Sequence, residues 1–429
     1  MLKILWITNT PCGAAKKEYG KGNIGGGWLT SLEHELKQNN DIELHIAYLS
    51  SKYPNDSFVL EQVTYHPMYL STSPKDKLYR VIGKQNKILS QKDSIILKQI
   101  ETIINIINPD VIHIHGSENC FGLIQEKTNI PVVISIQGLI NPYYIKYYSG
   151  IPKSLADRKE SYLKQLKKET FYDNYKYFRF CAERESRILN KAQYIIGRTT
   201  WDKNITKLFN PHSTYFQGEE LLREEFYKHT WKKNVSPHIF TITTILSDSL
   251  YKGYETLLLA AEQLSKSRFS FLWNVIGVTS NSPTIKIIEK ALKRTSSQFN
   301  IQLLGKKQAD EMMSYLLNSD VYCQVSHIEN SPNSLCEAML LGMPCIASNA
   351  GGTSSLLKDG DTGILIQDGD PFNLAGAILT SSTHLEELIS YGKKAREVAL
   401  SRHNREKARL QYYNIYKTII QQHNEKHSI

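Results

Sequence analysis

No stretch of the 429 residues approaches the roughly 18 consecutive apolar residues that a membrane span requires. Cysteine is sparse. The six, Cys12, Cys120, Cys181, Cys323, Cys336 and Cys345, lie scattered with no Cys-x-x-Cys pair. That argues against a disulfide framework and a zinc site, and suits the cytoplasm. Internal repeats and low-complexity segments are absent. The short apolar run Ile4-Leu5-Trp6-Ile7 lacks a small-residue cleavage site, so it reads as a first strand and not as a signal peptide. No helix-turn-helix, RNA-binding or zinc-finger pattern occurs, so nucleic acid is not an expected partner.

What is present is globular, 41% hydrophobic and 22% charged. The length exceeds one ordinary core, which predicts two domains of roughly 200 residues each. The net charge of +10 is uneven: residues 141–191 hold twelve Lys and Arg against six Asp and Glu. Eight tyrosines fall in the same segment, among them Tyr143, Tyr144, Tyr147, Tyr148 and Tyr162. Basic charge with amphipathic aromatics suits an anionic membrane surface, here the inner face of the cell membrane, or an anionic acceptor. The plainer reading, which is preferred, is a solvated helical insertion with its tyrosines packed on the domain beneath.

Short apolar runs read as buried strands at Lys3–Thr8, Ile42–Ala47, Val111–His115, Pro131–Ile136 and Tyr194–Gly197. A second series follows at Thr241–Leu246, Phe271–Gly277, Ile301–Leu304, Val321–Val325 and Pro344–Ser348. Helical patterns lie between most of them, such as Ile95–Ile107, Glu255–Leu264 and Ala309–Leu317. Strands of this kind alternating with helices imply parallel sheets covered on both faces. The expected class is therefore α/β, two doubly wound Rossmann-like domains facing across a cleft, with ligands at the carboxyl ends of the strands. Residues 1–217 form the first domain, the poorly periodic 218–236 a linker, and 237–403 the second domain.

The most informative segment runs from Ser326 to Pro344, after a strand and opening a helix. Ser331 is a suitable N-cap, Pro332 suits the first helical position, and Gly342 and Pro344 stop the helix. Amides near Asn333, Ser334 and Leu335 would then form a diphosphate site. Glu337 shares a face with Asn333, and Glu329 lies in the preceding loop, so two carboxylates converge on one helix start. Beside a phosphate, a carboxylate is tolerated where it accepts hydroxyl hydrogen bonds, which sugars and riboses supply.

Glu329-x7-Glu337, followed by Ala-Met-x-x-Gly-x-Pro, resembles the signature of glycosyltransferase family 4, a large retaining family of GT-B fold. The likeness extends through Ala347-Ser-Asn-Ala-Gly-Gly and Asp359-Gly-Asp-Thr-Gly. It implies transfer of a sugar from a nucleotide sugar to a glycan or lipid-linked acceptor with retention, as in polysaccharide, lipopolysaccharide or capsule synthesis. Glu329 would contact the donor sugar, Glu337 the ribose hydroxyls, and the amides after Ser331 the sugar and diphosphate. Tyr251-Lys252-Gly253-Tyr254 resembles the family's Lys-Gly step, which places Lys252 against the leaving diphosphate. The final helix, about 404–429, with Leu410, Tyr413, Tyr416 and Ile420 at helical spacing, resembles the one that crosses back to the first domain.

In the first half, Gly25-Gly26-Gly27-Trp28 lacks GxGxxG spacing. In the family such a loop borders donor phosphates and acceptor, which makes Gly26 and Gly27 donor-side candidates. His113 and His115 share one face of a strand, with His115 nearer the carboxyl tip and expected in the cleft. Gln137 and Arg198 follow later strands and are acceptor-side candidates. The chain departs from the family at three places. Ser247 stands where an arginine usually helps bind diphosphate, Ser355 where a Glu is common, and Gln137 where His-Gly is usual. Lys306 or Lys307, after the strand Ile301–Leu304, is the candidate to supply the missing charge. No Asp-x-Asp lies in a suitable loop, so no metal and no other cofactor is expected. The alternatives are a nucleotide-sugar epimerase of related fold and a non-catalytic partner subunit.

Overall fold

The structure, a computed structural model, describes residues 1–20, 27–50, 56–71, 85–160, 169–233 and 239–427. Two sheets account for its strands. The first contains β1 (Leu2–Thr8), β2 (Ile42–Ser50), β3 (Phe58–Leu60), β4 (Val63–Tyr69), β5 (Val111–His115), β6 (Val132–Ser135), β7 (Tyr194–Gly197) and β8 (Thr214–Gln217). Their order is β3-β4-β2-β1-β5-β6-β7-β8, parallel except where β3 pairs antiparallel with β4. The second contains β9 (Phe240–Ile245), β10 (Phe271–Ile276), β11 (Ile301–Gly305), β12 (Val321–Gln324), β13 (Cys345–Ser348) and β14 (Ile364–Ile366). Its order is β11-β10-β9-β12-β13-β14, parallel throughout.

Both sheets reverse direction beside their first strand, between β1 and β5 and between β9 and β12. Ligands of doubly wound sheets bind at such reversals, beyond the carboxyl ends of the strands. The strands are buried on both faces, as their apolar sequences require: Ile4, Leu5, Trp6 and Ile7 are all fully inaccessible. β3 and β4 turn through Glu61 and Gln62, both with positive φ, a hairpin geometry that normally selects Gly or Asn. The hairpin therefore leaves no clear trace in the sequence.

Three packing relations tie the halves together. The last helix, Arg405–His427, returns to the first sheet, where Ala408, Tyr412, Ile415, Tyr416 and Ile419 join one core with Ile4, Trp6 and Trp28. Tyr416 hydroxyl meets Trp6 Nε1 at 3.1 Å and His113 Nδ1 at 2.8 Å. The expected linker is not a loose tether over its described part. Leu221 packs into the first domain's core, while Leu222, Phe226 and Trp231 are buried against the second. Four scattered apolar residues have no period, so they gave no signal, yet each fills a gap between elements.

The basic, tyrosine-rich segment is the third tie. Tyr147, Ile151, Ala156 and Phe171 lie in the core of the second domain, flanked by Tyr148, Tyr175 and Phe178. The tyrosines thus pack across the molecule and not only onto the domain that carries them. Tyr172 and Tyr177 remain exposed, and Tyr162 lies outside the described residues. Among the described residues no helix is long and apolar enough to cross a membrane.

Candidate active site

Lys252 stands after β9 and Glu329 after β12, on the two sides of the second sheet's reversal. Lys252 Nζ forms an ion pair with Glu329 Oε1, and Ser326 Oγ donates to the same oxygen at 2.7 Å. Burial alone would lower the Lys252 pKa, but the Glu329 carboxylate overrides this and raises it, so the ammonium is held charged.

Glycines permit this convergence. Gly253 has φ +77, and a Cβ there would lie 1.9 Å from the Val325 carbonyl oxygen. Gly351 has φ +59, and its Cβ would lie 2.0 Å from the Glu329 carbonyl oxygen. The three loops carrying Lys252, Glu329 and Gly351 therefore touch backbone to backbone.

The helix Asn333–Leu341 begins at this point and ends at Gly342, φ +79, as the sequence predicts. Its start differs from expectation. The N-cap is Pro332, in extended conformation, and no side chain caps the helix, so Ser331 is not the cap. The proline ring holds φ at −70 while ψ is 114, which delays the first helical residue to Asn333. The Leu335 amide is also not free, because it bonds to the Pro332 carbonyl at 3.0 Å. The amides of Asn333 and Ser334 are left at the open tip. Asn333 Oδ1 is buried there without a hydrogen-bond partner, and Ser334 Oγ accepts from Tyr322 hydroxyl at 2.8 Å. An uncapped helix start with a positive end is an anion site in waiting.

Glu337 is almost fully buried on this helix, and burial raises its pKa. Arg223 opposes that rise with a two-pronged contact, Nε to Oε1 at 2.7 Å and Nη2 to Oε2 at 2.6 Å. Sequence reading missed Arg223. It lies in the segment taken as a linker, where one arginine among polar residues carries no signal.

The first domain reaches the same place. Tyr143 phenol lies near Glu329, and burial, then that carboxylate, raise its pKa well above the ordinary tyrosine value; its ring meets Tyr251 edge to face. A Cβ at Gly138 would meet that ring at 3.6 Å, an ordinary contact, so the ring's seat does not depend on the glycine. Asn330 side chain bridges back to Thr199 Oγ1 at 2.7 Å and Asp202 at 3.0 Å, with longer contacts to the carbonyls of Ile136 and Gln137.

The remaining candidates fall as follows. His115 is buried, packed against Trp6, Trp28 and His113, with both ring nitrogens lacking partners. Trp28 thus covers the imidazole that the strand pattern places in the open cleft, and burial drives its pKa well down. Arg198 is also buried, paired with Glu220 and stacked under Trp28. Burial pushes Glu220 up to about 7 against the pull of that arginine. Gln137 is half-buried and meets the second domain through its backbone. Ser247 is exposed, and Lys306 is too, whereas Lys307 is paired with Glu311 of the helix that follows it, Ala309–Leu317. Ser355 hydroxyl accepts from the Thr200 amide at 3.1 Å and so lies at a contact between domains. Gly27 opens the helix Gly27–Leu36, and Gly26 lies outside the described residues. Among the described residues no three His, Cys, Asp or Glu side chains are grouped to hold a metal ion.

Residues 228–398 match the family model described as glycosyl transferases group 1. The chain is 29% identical over 140 residues to the N-acetyl-alpha-D-glucosaminyl L-malate synthase of Bacillus anthracis. It is 28% identical, also over 140 residues, to the 2-deoxystreptamine N-acetyl-D-glucosaminyltransferase of Niallia circulans. These matches take in 33% and 32% of this chain and only 36% and 35% of the relatives' lengths. The likeness in fold is wider. The sucrose-phosphate synthase of Thermosynechococcus elongatus superposes with TM-score 0.71 at 16% identity, covering 98% of this chain and 99% of that one. HepE of Anabaena, solved with UDP and glucose, superposes with TM-score 0.63 at 14% identity, covering 96% and 99%. The fold is GT-B: two Rossmann-like halves, the second of them carrying the group 1 glycosyltransferase match.

Proposed function

We propose that this chain, whose residues 228–398 match the group 1 glycosyl transferase family model, moves a sugar from a nucleoside diphosphate sugar to a hydroxyl of a glycan or lipid-linked acceptor with retention. The observation that carries the reading is the meeting of Lys252, Glu329, Glu337 and an uncapped helix start at one sheet reversal. Breaking the anomeric bond leaves positive charge on the sugar and negative charge on the diphosphate. Lys252 and the amides of Asn333 and Ser334 meet the negative charge in a largely water-free site. Glu329 accepts from sugar hydroxyls and Glu337 from ribose hydroxyls. The acceptor hydroxyl loses its proton to the departing phosphate oxygen as its own oxygen bonds to the anomeric carbon, which balances the step without a further base.

Cationic assistance comes from the protein in this reading, and no metal is required. Tyr143 and Asn330 couple the reaction centre to domain closure, which excludes water. Polysaccharide or surface-glycan synthesis is the setting this chemistry suits.

The test is a thermal-shift screen with UDP, GDP and ADP, then their sugars, since a ligand that binds the native state raises its melting temperature. Transfer from the stabilising sugar nucleotide is next followed with and without EDTA, and the product anomer is read by NMR. A chain that binds none of these nucleotides is not this enzyme.

A further inference from the structure

Arg223 is wedged between the domains. On one side its side-chain methylenes pass over Gly27, where a Cβ would come 3.2 Å from Arg223 Cγ. Ser31, one turn along the same helix, bonds through Oγ to the Leu222 carbonyl at 3.3 Å. On the other side the guanidinium lies over Phe226 at 4.8 Å, approaches Met312 Sδ at 3.9 Å and grips Glu337 with two hydrogen bonds. Its planar fork is thus located from three directions, and a lysine could not reproduce it.

A buried carboxylate offers about four acceptor positions. Arg223 takes one on each oxygen. Two remain, one per oxygen, with a spacing that matches vicinal hydroxyls of a ribose. Without the cation, burial would favour the protonated acid, one oxygen of which could no longer accept. We propose that Arg223 is a positioning residue that fixes Glu337 for the ribose diol, so that the protein's preference for ribonucleotides depends on a residue outside the group 1 match. The inference rests on the proposed function, because it assumes that a nucleotide occupies this pocket. It also ties nucleotide recognition to the glycine-bordered start of Gly27–Leu36, since Arg223 touches both.

The experiment measures, by calorimetry, binding of UDP, GDP and ADP and of their 2′-deoxy counterparts to the wild-type chain and to Arg223→Gln and Arg223→Lys. Wild type is expected to prefer the best ribonucleotide over its deoxy form by about tenfold or more, the equivalent of about 1.4 kcal/mol. Arg223→Gln should weaken ribonucleotide binding and cut the preference to below about threefold, with deoxy binding little changed. Arg223→Lys should fall between. Circular dichroism and melting of the free variants establish that both are folded. Should Arg223→Gln not fold, Arg223→Lys carries the comparison alone, since it keeps a cation but not the planar fork that holds both Glu337 oxygens. A wild-type preference that survives in the variants overturns the inference alone. So does tighter ribonucleotide binding by Arg223→Gln, which would make the arginine a plug. Wild-type protein that binds no nucleotide overturns the proposed function and this inference together.

Discussion

Replacing Lys252 with Met separates what the Lys252–Glu329 pair does for folding from what it does for transfer. Methionine keeps the length and apolar stem of lysine but removes the charge. Glu329 side chain is only 8% exposed, so the variant leaves a buried anion without its cation. For a fully enclosed pair that costs about 3–5 kcal/mol. Here the cost should be smaller, because Lys252 is 21% exposed and Glu329 keeps Ser326 as a donor. About 1–3 kcal/mol is expected, at about 2–4 °C of melting temperature per kcal/mol for a domain of this size. Adding Glu329→Gln removes the stranded charge and should restore most of the melting temperature. Activity should behave otherwise. If Lys252 meets the leaving diphosphate, kcat falls about 100- to 1000-fold, and the second substitution does not bring it back. Calorimetric melting and steady-state transfer on the single and double variants give both readouts. Turnover of Lys252→Met within about threefold of wild type, or recovered turnover in the double variant, would refute the assignment.

Three other outcomes are expected. Gly253→Ala should cost about 1–2 kcal/mol for the left-handed backbone alone, and more for displacing the Val325 carbonyl. Gly360→Ala, at φ +65 with open space around it, should show only the first cost in the same melting assay, and equal losses would discount the clash. Tyr143→Phe removes the phenol hydroxyl that the first domain brings near Glu329, and kcat should drop about 2- to 13-fold for about 0.5–1.5 kcal/mol; an unchanged kcat would deny the first domain a part at the reaction centre. His327 joins Glu255 at 2.6 Å and Asp368 at 3.5 Å, and Asp368 in turn holds Lys146 of the first domain at 3.1 Å. Burial lowers the His327 pKa, but the two carboxylates outweigh it and raise it above the ordinary 6.5. Its stabilisation should be full below that value and fade as pH rises through the higher folded one. The melting-temperature gap between wild type and His327→Asn should therefore shrink from pH 6 to pH 9, and a constant gap would contradict the linkage.

The parallel strands were legible because burial on both faces demands unbroken apolar runs: β5 and β7 fall where the sequence puts them, and β1, β6, β10 and β13 differ by a single residue at one or both ends. Edges were not. β8 and β14 are short and partly exposed, and β4 carries Pro67 and His66 within it. Glu329 and Glu337 stood out because a helix start fixes their spacing locally. Arg223 and Tyr143 did not, since each acts on a residue more than a hundred positions away, and no local pattern records such a contact. The segment 141–191 advertised its charge and tyrosines but not its partner. Composition can name a sticky surface without naming what sticks to it.

The last helix completes the amino-terminal core, and this has a consequence for how the chain is made. Trp6 and His113 leave the ribosome long before Tyr416, whose hydroxyl they share in the finished protein. At about 5–20 residues per second, the first sheet waits roughly 10–40 s, the time to add the second domain, with an apolar face uncovered. A nascent chain stalled before residue 408 should accordingly attract chaperones and proteases, even though every strand of that sheet has already been synthesised.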